Sequence, residues 1–223
     1  MGPILLAECF LCGREDGQAA VCPACSADLP TWRAERACPC CALPVGSATV
    51  CGRCLRRPPQ FDQSRALFDY AFPAMQLVRA LKYGGRLDLA RWLGECAAGL
   101  IADPAGWDAV IPVPLHADRL RERGFNQAGE LARWVAATAS IPLAAGGVRR
   151  SRATPSQAGL AARERRRNLK GAFELTGALP GRRIVVVDDV MTTGATLDEL
   201  AGVLKRAGAE AILNLVVART PGH

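Results

Sequence analysis

The sequence predicts an α/β fold built on a parallel sheet, with a small metal-bearing module in front of it. Short runs such as DAVIPVP (108–114), RRIVVV (182–187) and AILNLVVA (211–218) are apolar without strict alternation. Amphipathic stretches separate these runs, and nine of the ten cysteines lie before residue 55. A strand buried on one face alternates apolar and polar residues, whereas one covered on both faces stays apolar. Strands of the second kind, spaced by helices, form parallel sheets.

The N-terminal segment comes first in the chain and is read from its cysteines. They fall into four pairs, Cys9/Cys12, Cys22/Cys25, Cys38/Cys41 and Cys51/Cys54, each with two residues between partners. One such turn offers two thiolates and tetrahedral zinc takes four, so four turns predict two structural zinc sites. Sequential pairing gives the shorter loops; a cross-braced arrangement is the alternative. A four-cysteine site has no open coordination position, so these zincs are expected to fold or dock the module, not to catalyse. Cys40 and Cys96 are read as spare or core residues.

Pro58-Pro59 reads as a stiff linker. The expected division is a double zinc module at 1–57, a linker at 58–62 and the α/β domain at 63–223. In that domain SRALFDYAF (64–72) reads as strand, and 74–82 and 87–101 as helices with apolar residues three and four apart. A helix is expected over 125–139, with Leu131 and Val135 on one face, and another over 195–206, ended by Gly208. Lys82-Tyr83-Gly84-Gly85 reads as a helix stop, with ligand contact the weaker alternative.

The 223 residues, half of them hydrophobic, suffice for one full core plus a small module. No run approaches the 18 or so apolar residues of a membrane span. The opening MGPILLAEC lacks a basic flank, so no signal peptide is expected and the location is read as cytoplasmic. Net charge is +7. Between Arg149 and Lys170 eight basic residues face one acid, Glu164, so this segment alone matches the excess. An anionic partner is implied, either nucleic acid or a phosphorylated small molecule, against the alternative of a solvated helix face.

The stretch IVVVDDVMTTGATL (184–197) ends an apolar strand in two adjacent carboxylates and follows them with a turn of small residues. Thr192, Thr193, Gly194, Ala195 and Thr196 would let a phosphate approach backbone N–H groups at a helix N-terminus, with three hydroxyls as added donors. Asp188 and Asp189, at the carboxyl end of the strand, would repel a bare phosphate. They suit a ligand with a sugar beside its phosphate, whose hydroxyls carboxylates accept; a magnesium ion would also offset their charge.

Apolar strand, two acids and Thr/Gly turn together resemble the phosphoribosyl-diphosphate (PRPP) motif of type I phosphoribosyltransferases. Together with VPLHADRLRERGFNQ (113–127), Gln157, Leu160, Glu164-Arg165, Asn168, GAF (171–173) and the four cysteine turns, the chain is similar to the ComF family. That family joins a zinc ribbon to a phosphoribosyltransferase domain and is associated with DNA uptake in natural transformation. The resemblance implies a type I phosphoribosyltransferase-like domain in which Asp188 and Asp189 hold the ribose hydroxyls and residues 192–196 the 5′-phosphate. It implies a pyrophosphate side at Val113, Pro114, Leu115 and His116, with Arg119, Arg121 and Arg123 as further candidates. Arginine's fork suits phosphate oxygens; a lone histidine such as His116 is more often structural than a proton donor. Arg152, Gln157 and Arg163 are candidates for a mobile loop closing over the reaction centre.

The implied cofactors are two zincs and magnesium with PRPP, and the implied reaction is transfer to a nitrogen acceptor. Thr192 stands where transferases of 6-oxopurines typically carry an aspartate base, which argues against that substrate class and leaves the catalytic residues and acceptor unassigned. The competing reading is a ligand-binding competence factor without turnover that engages single-stranded DNA or a helicase. The four tryptophans and two tyrosines do not interleave with the basic run, so no base-stacking platform is expected.

Overall fold

In a computed structural model of the chain, residues 8–15, 20–46, 49–152 and 168–221 are described. The centre is a four-stranded sheet of β1 (Gln63–Asp69), β2 (Ala109–Pro112), β5 (Arg183–Met191) and β6 (Ala211–Arg219). Their order is β1-β6-β5-β2, and every neighbouring pair is parallel. Burial follows from composition: Ile184 to Val187 and Ile212 to Ala218 are buried along their length, as β-branched and apolar residues covered on both faces must be.

Two hydrophobic cores flank the sheet. One gathers α3 (Ala74–Tyr83), α4 (Leu87–Ala98) and α6 (Gln127–Ala139) around Val185, Val187, Leu213 and Leu215. Helix α4 lies so close to α6 that a Cβ on Gly94 would come within 2.5 Å of Trp134 Cβ, so this position takes only glycine without repacking. The other core gathers helix α7 (Ala195–Arg206) around Ile184, Val186, Ile212 and Val216. Leu197, Leu200, Ala201 and Leu204 give α7 one apolar stripe at helical spacing. Each fully buried leucine of this kind contributes about 1.5–3 kcal/mol relative to exposure.

The strands and helices expected from periodicity are all present, with ends shifted by a few residues. β5 runs through both acids to Met191, and α4 stops at Ala98. Periodicity had no purchase on a short helix α5 (Ala117–Arg123) and on an antiparallel pair, β3 (Val148–Arg150) with β4 (Phe173–Leu175).

The cysteine-rich segment, with its short helices α1 (Pro23–Ala27) and α2 (Gly52–Arg56), packs directly on the sheet. Trp32 N–H donates to the Leu67 carbonyl at 3.0 Å, Ser64 N–H to Pro39 at 2.9 Å and Asp69 N–H to Pro30 at 2.8 Å. Residues 58–62, read as a linker, are not a free tether. Phe61 is buried, Gln60 N–H donates to Asp198 Oδ1 at 2.8 Å, and Asp62 accepts from Lys205 Nζ at 2.8 Å and from Ile212 N–H at 2.7 Å.

Candidate functional site

The cysteines form two quartets in sequence order, Cys9/Cys12/Cys22/Cys25 and Cys38/Cys41/Cys51/Cys54. Within each, all sulfurs lie within 4.8 Å of one another, so the pairing is sequential and not cross-braced. Four thiolates at about 2.3 Å from a tetrahedral zinc stand about 3.8 Å apart. The Cys12–Cys22 and Cys41–Cys51 sulfurs are 3.9 Å and 3.5 Å apart, which fits. Cys22 N–H donates to Cys9 Sγ at 3.3 Å, the kind of backbone support a thiolate turn needs. Cys40 and Cys96 stand outside both quartets.

The second candidate site lies at the carboxyl end of β5, where open α/β sheets receive ligands. Consecutive strand residues point to opposite sides, which separates the two acids. Asp189 is 8% exposed and receives Lys82 Nζ on Oδ1 at 2.9 Å. Asp188 Oδ1 accepts the Asp189 N–H at 2.8 Å. Burial and the neighbouring Asp189 charge push the Asp188 carboxyl up to about 7, opposed by Lys82 and Arg150. Burial works against the Lys82 charge, but the Asp189 and Asp188 carboxylates outweigh it and raise its pKa. Arg150 is pressed down by burial while Asp188 pulls it up. The repulsion between adjacent carboxylates is thus compensated by one lysine and one arginine brought from distant segments.

Residues 192–194 form the turn between β5 and α7, and Ala195 and Thr196 open the helix. Gly194 adopts the left-handed region (φ 78°), and a Cβ there would come within 2.7 Å of Met191 Cε, so the turn requires glycine. Thr193 Oγ1 accepts the Ala195 N–H at 3.3 Å. A cleft of about 200 Å³ is lined by Asp188, Val190, Met191, Thr192, Gly194, Ala195, Thr196 and Leu197, joining Asp188 to the first turn of α7. A second cleft, about 310 Å³, runs behind the turn between Thr193-Gly194 and Cys41, Arg53, Cys54 and Arg57.

Sequence-derived candidates on the 113–123 side are sorted by this geometry. Val113 is buried, and its N–H is committed to the Val187 carbonyl at 2.9 Å, so it is not free to donate to a diphosphate. Pro114 and Leu115 continue into His116, which bridges to Arg150 and caps α5 by accepting the Asp118 N–H at 3.3 Å. Arg119 pairs with Glu122 at 3.5 Å and stands close enough to Arg150 to depress its pKa, which puts it on the site side. Arg121 is 76% exposed and paired with Asp118 at 2.9 Å. Arg123 stacks over Tyr83 at 5.5 Å and donates to Gln127 Oε1 at 3.2 Å. Arg152 donates to the Lys170 carbonyl at 2.9 Å; Gln157 and Arg163 lie outside the described residues.

Three residues tied to the candidate site were not legible as such. Lys82 reads as a helix stop, yet Gly84 N–H ends α3 on the Ala80 carbonyl and the Lys82 ammonium goes to Asp189. Arg150 belongs to the basic segment read as a surface for an anionic partner, but its guanidinium lies over the Phe173 ring at 5.6 Å, near enough to Asp188 to feel its charge, and its neighbour Arg149 pairs with Glu174 at 2.7 Å. Arg219, only 1% exposed, ends an apolar strand with no sequence signal. Its Nε donates to the Cys41 carbonyl and its Nη1 to Met191, each at 2.8 Å, and Nη1 also donates to the Thr192 carbonyl. One guanidinium therefore ties the second cysteine quartet to the turn. Burial lowers its pKa to about 10, which leaves it charged at neutral pH.

Residues 90–222 match the phosphoribosyl transferase domain and residues 4–55 the double zinc ribbon domain. The chain belongs to the ComF family of zinc-ribbon phosphoribosyltransferase-domain proteins. Its relatives within the family include DNA utilization protein YhgH of Escherichia coli K12, 36% identical over 95% of this chain and 96% of its own length. Competence protein F of Haemophilus influenzae is 35% identical over 74% of this chain and 76% of its own. Competence protein ComFC of Bacillus subtilis is 26% identical over 78% and 73%. Among the described residues no helix is long and apolar enough to cross a membrane.

Proposed function

We propose that the chain binds PRPP at the end of β5 and transfers its phosphoribosyl group to a nitrogen acceptor, in the service of DNA uptake. The observation that supports this is one cleft lined by Asp188, Thr192, Gly194, Ala195 and Thr196, with Asp189 next to Asp188 in the strand. A phosphate on the first turn of α7 leaves its ribose over the carboxylates, which accept the 2′ and 3′ hydroxyls. Magnesium, when bound with the diphosphate, neutralises the leaving group.

The protein's own part is positioning and electrostatics. The Asp188 and Asp189 carboxylates orient the ribose, the α7 N–H groups fix the 5′-phosphate, and Arg119 and Arg150 supply positive charge on the side where diphosphate would leave. Displacement breaks the bond from the anomeric carbon to the diphosphate oxygen and forms one to the acceptor nitrogen, and diphosphate departs with the electron pair. Thr192 in place of an acidic base is consistent with an acceptor other than a 6-oxopurine.

The names of the relatives, DNA utilization and competence proteins, favour a second reading in which the same pocket binds its ligand without turnover while the protein engages single-stranded DNA or a helicase. Calorimetric titration with PRPP, with and without magnesium, tests what both share. Magnesium-dependent binding by the wild type, lost in Asp188→Asn/Asp189→Asn, supports the site. No binding by a folded, zinc-loaded wild type would sink it. Diphosphate release on adding candidate amine and nucleobase acceptors separates the transferase from the binding protein.

A further inference from the structure

Resting on the phosphoribosyl reading, we propose that Lys82 is an exchange residue that gives the site its preference for a diphosphorylated ribose. It neutralises Asp189 in the ligand-free protein and passes to the ligand's diphosphate when Asp189 takes the ribose hydroxyls.

The placement of Lys82 is the first ground. Its ammonium sits 2.9 Å from Asp189 Oδ1, on the carboxylate that would receive a hydroxyl. A carboxylate oxygen holding an ammonium has less capacity left for a sugar, so a ribose seated there competes with Lys82. The second ground is charge. Asp188 and Asp189 face Lys82 and Arg150, so acids and cations offset one another in the ligand-free protein. Hydroxyls add no charge to that balance, whereas a diphosphate brings several negative charges and a use for the displaced cation.

The third ground is reach. Lys82 lies in the last turn of α3, whose end is closed independently by Gly84, so its side chain can move without unwinding the helix. A four-carbon stem with a compact charge covers several ångströms by rotamer change, which the planar arginine fork does less readily. The lysine side chain is 24% exposed and its partner 12%, so the pair is partly buried rather than sealed in a core. The helix carbonyls make no claim on it, so stopping α3 does not explain its position. The backbone beneath it is held by Gln127, 1% exposed, whose Nε2 reaches the Lys82 carbonyl at 3.5 Å.

The test compares PRPP with ribose 5-phosphate, which has the same sugar and 5′-phosphate but no diphosphate. Both are titrated with magnesium into the full-length, zinc-loaded chain as wild type and Lys82→Met. The expected result is a loss of about tenfold to a hundredfold in PRPP affinity, the worth of one charge-assisted hydrogen bond, while ribose 5-phosphate, freed of its competitor for Asp189, is not weakened. Lys82→Gln keeps a donor for Asp189 without the charge and should give the same discrimination should the methionine variant fail to fold. Equal losses for both ligands would overturn the proposal and leave Lys82 as a support for Asp189. Unchanged PRPP affinity would overturn it as well. A wild type that binds neither ligand would instead strike at the phosphoribosyl reading on which the proposal rests.

Discussion

The two cysteine quartets have the same chemistry and different surroundings. Cys9 and Cys22 belong to the core built by α3, α4 and α6, whereas Cys38, Cys41 and Cys54 belong to the core built by α7, the helix that starts at the phosphate turn. The second quartet is tied to that turn through Arg219, between the Cys41, Met191 and Thr192 carbonyls. Four thiolates on a metal constitute a fold in either place, but what the metal stabilises depends on the neighbouring core. The first zinc would anchor the module, and the second would also stiffen the ligand loop.

Breaking one ligand in each quartet sharpens this difference most. Cys54→Ser should lose one zinc and weaken PRPP binding by on the order of a hundredfold or more, because the metal site and the fold around it go together. Cys9→Ser should also lose one zinc but leave PRPP affinity within about threefold. Metal analysis with calorimetry on each variant checks both, and equal losses would erase the distinction.

Arg219→Met removes the strut without touching a thiolate. It leaves several buried carbonyls without their donor, at a cost of about 2–3 kcal/mol, or a fall in Tm on the order of 5–10 °C. PRPP affinity should drop about tenfold while both zincs stay bound, as read by thermal melts, metal content and titration.

A comparable effect should come from pH. The Asp188 carboxyl is raised from its ordinary value of 3.8 to about 7 by burial and Asp189. Because the folded-state value is the higher one, folding favours the protonated form. The group's penalty is absent below about 3.8, and stability is lost as pH climbs through about 7. The ligand needs the opposite state, the charged carboxylate, so PRPP affinity should rise about tenfold between pH 6 and pH 8. The phosphates of PRPP titrate nearby, so the informative quantity is the difference in slope between wild type and Asp188→Asn.

The smallest effect should be at Arg121, which is exposed and paired only with Asp118. Arg121→Ala should leave PRPP affinity within about twofold, since exposed ion pairs contribute little. Arg119→Ala, on the site side, should weaken it about tenfold.

Much of this arrangement was legible in the residues. The sheet strands announce themselves because burial on both faces forces continuous apolar runs, and the quartets because thiolate turns need fixed spacing. The acid pair and the Gly194 turn are contiguous in the chain, so a local motif carries them. What escaped was whatever depends on long-range pairing. Lys82 meets Asp189 across more than a hundred residues, and its sequence surroundings are fully explained by a helix ending. Arg150 hides within a basic run whose neighbouring members Arg149 and Arg152 are held by Glu174 and the Lys170 carbonyl. Arg219 closes a strand at a position where an arginine reads as the first solvated residue, and only the packing of the zinc module over it reveals that it is buried. Helix α5 was missed because seven residues are too few for a period to show.

The most direct measurement is a crystal structure of the zinc-loaded chain with PRPP and magnesium. The 5′-phosphate should lie on the backbone N–H groups of the first turn of α7, with the ribose 2′ and 3′ hydroxyls on Asp188 and Asp189 and the diphosphate toward Arg119 and Arg150. Ligand density in the cleft between Arg53, Arg57 and the second quartet, with Asp189 still bound to Lys82, would contradict this account.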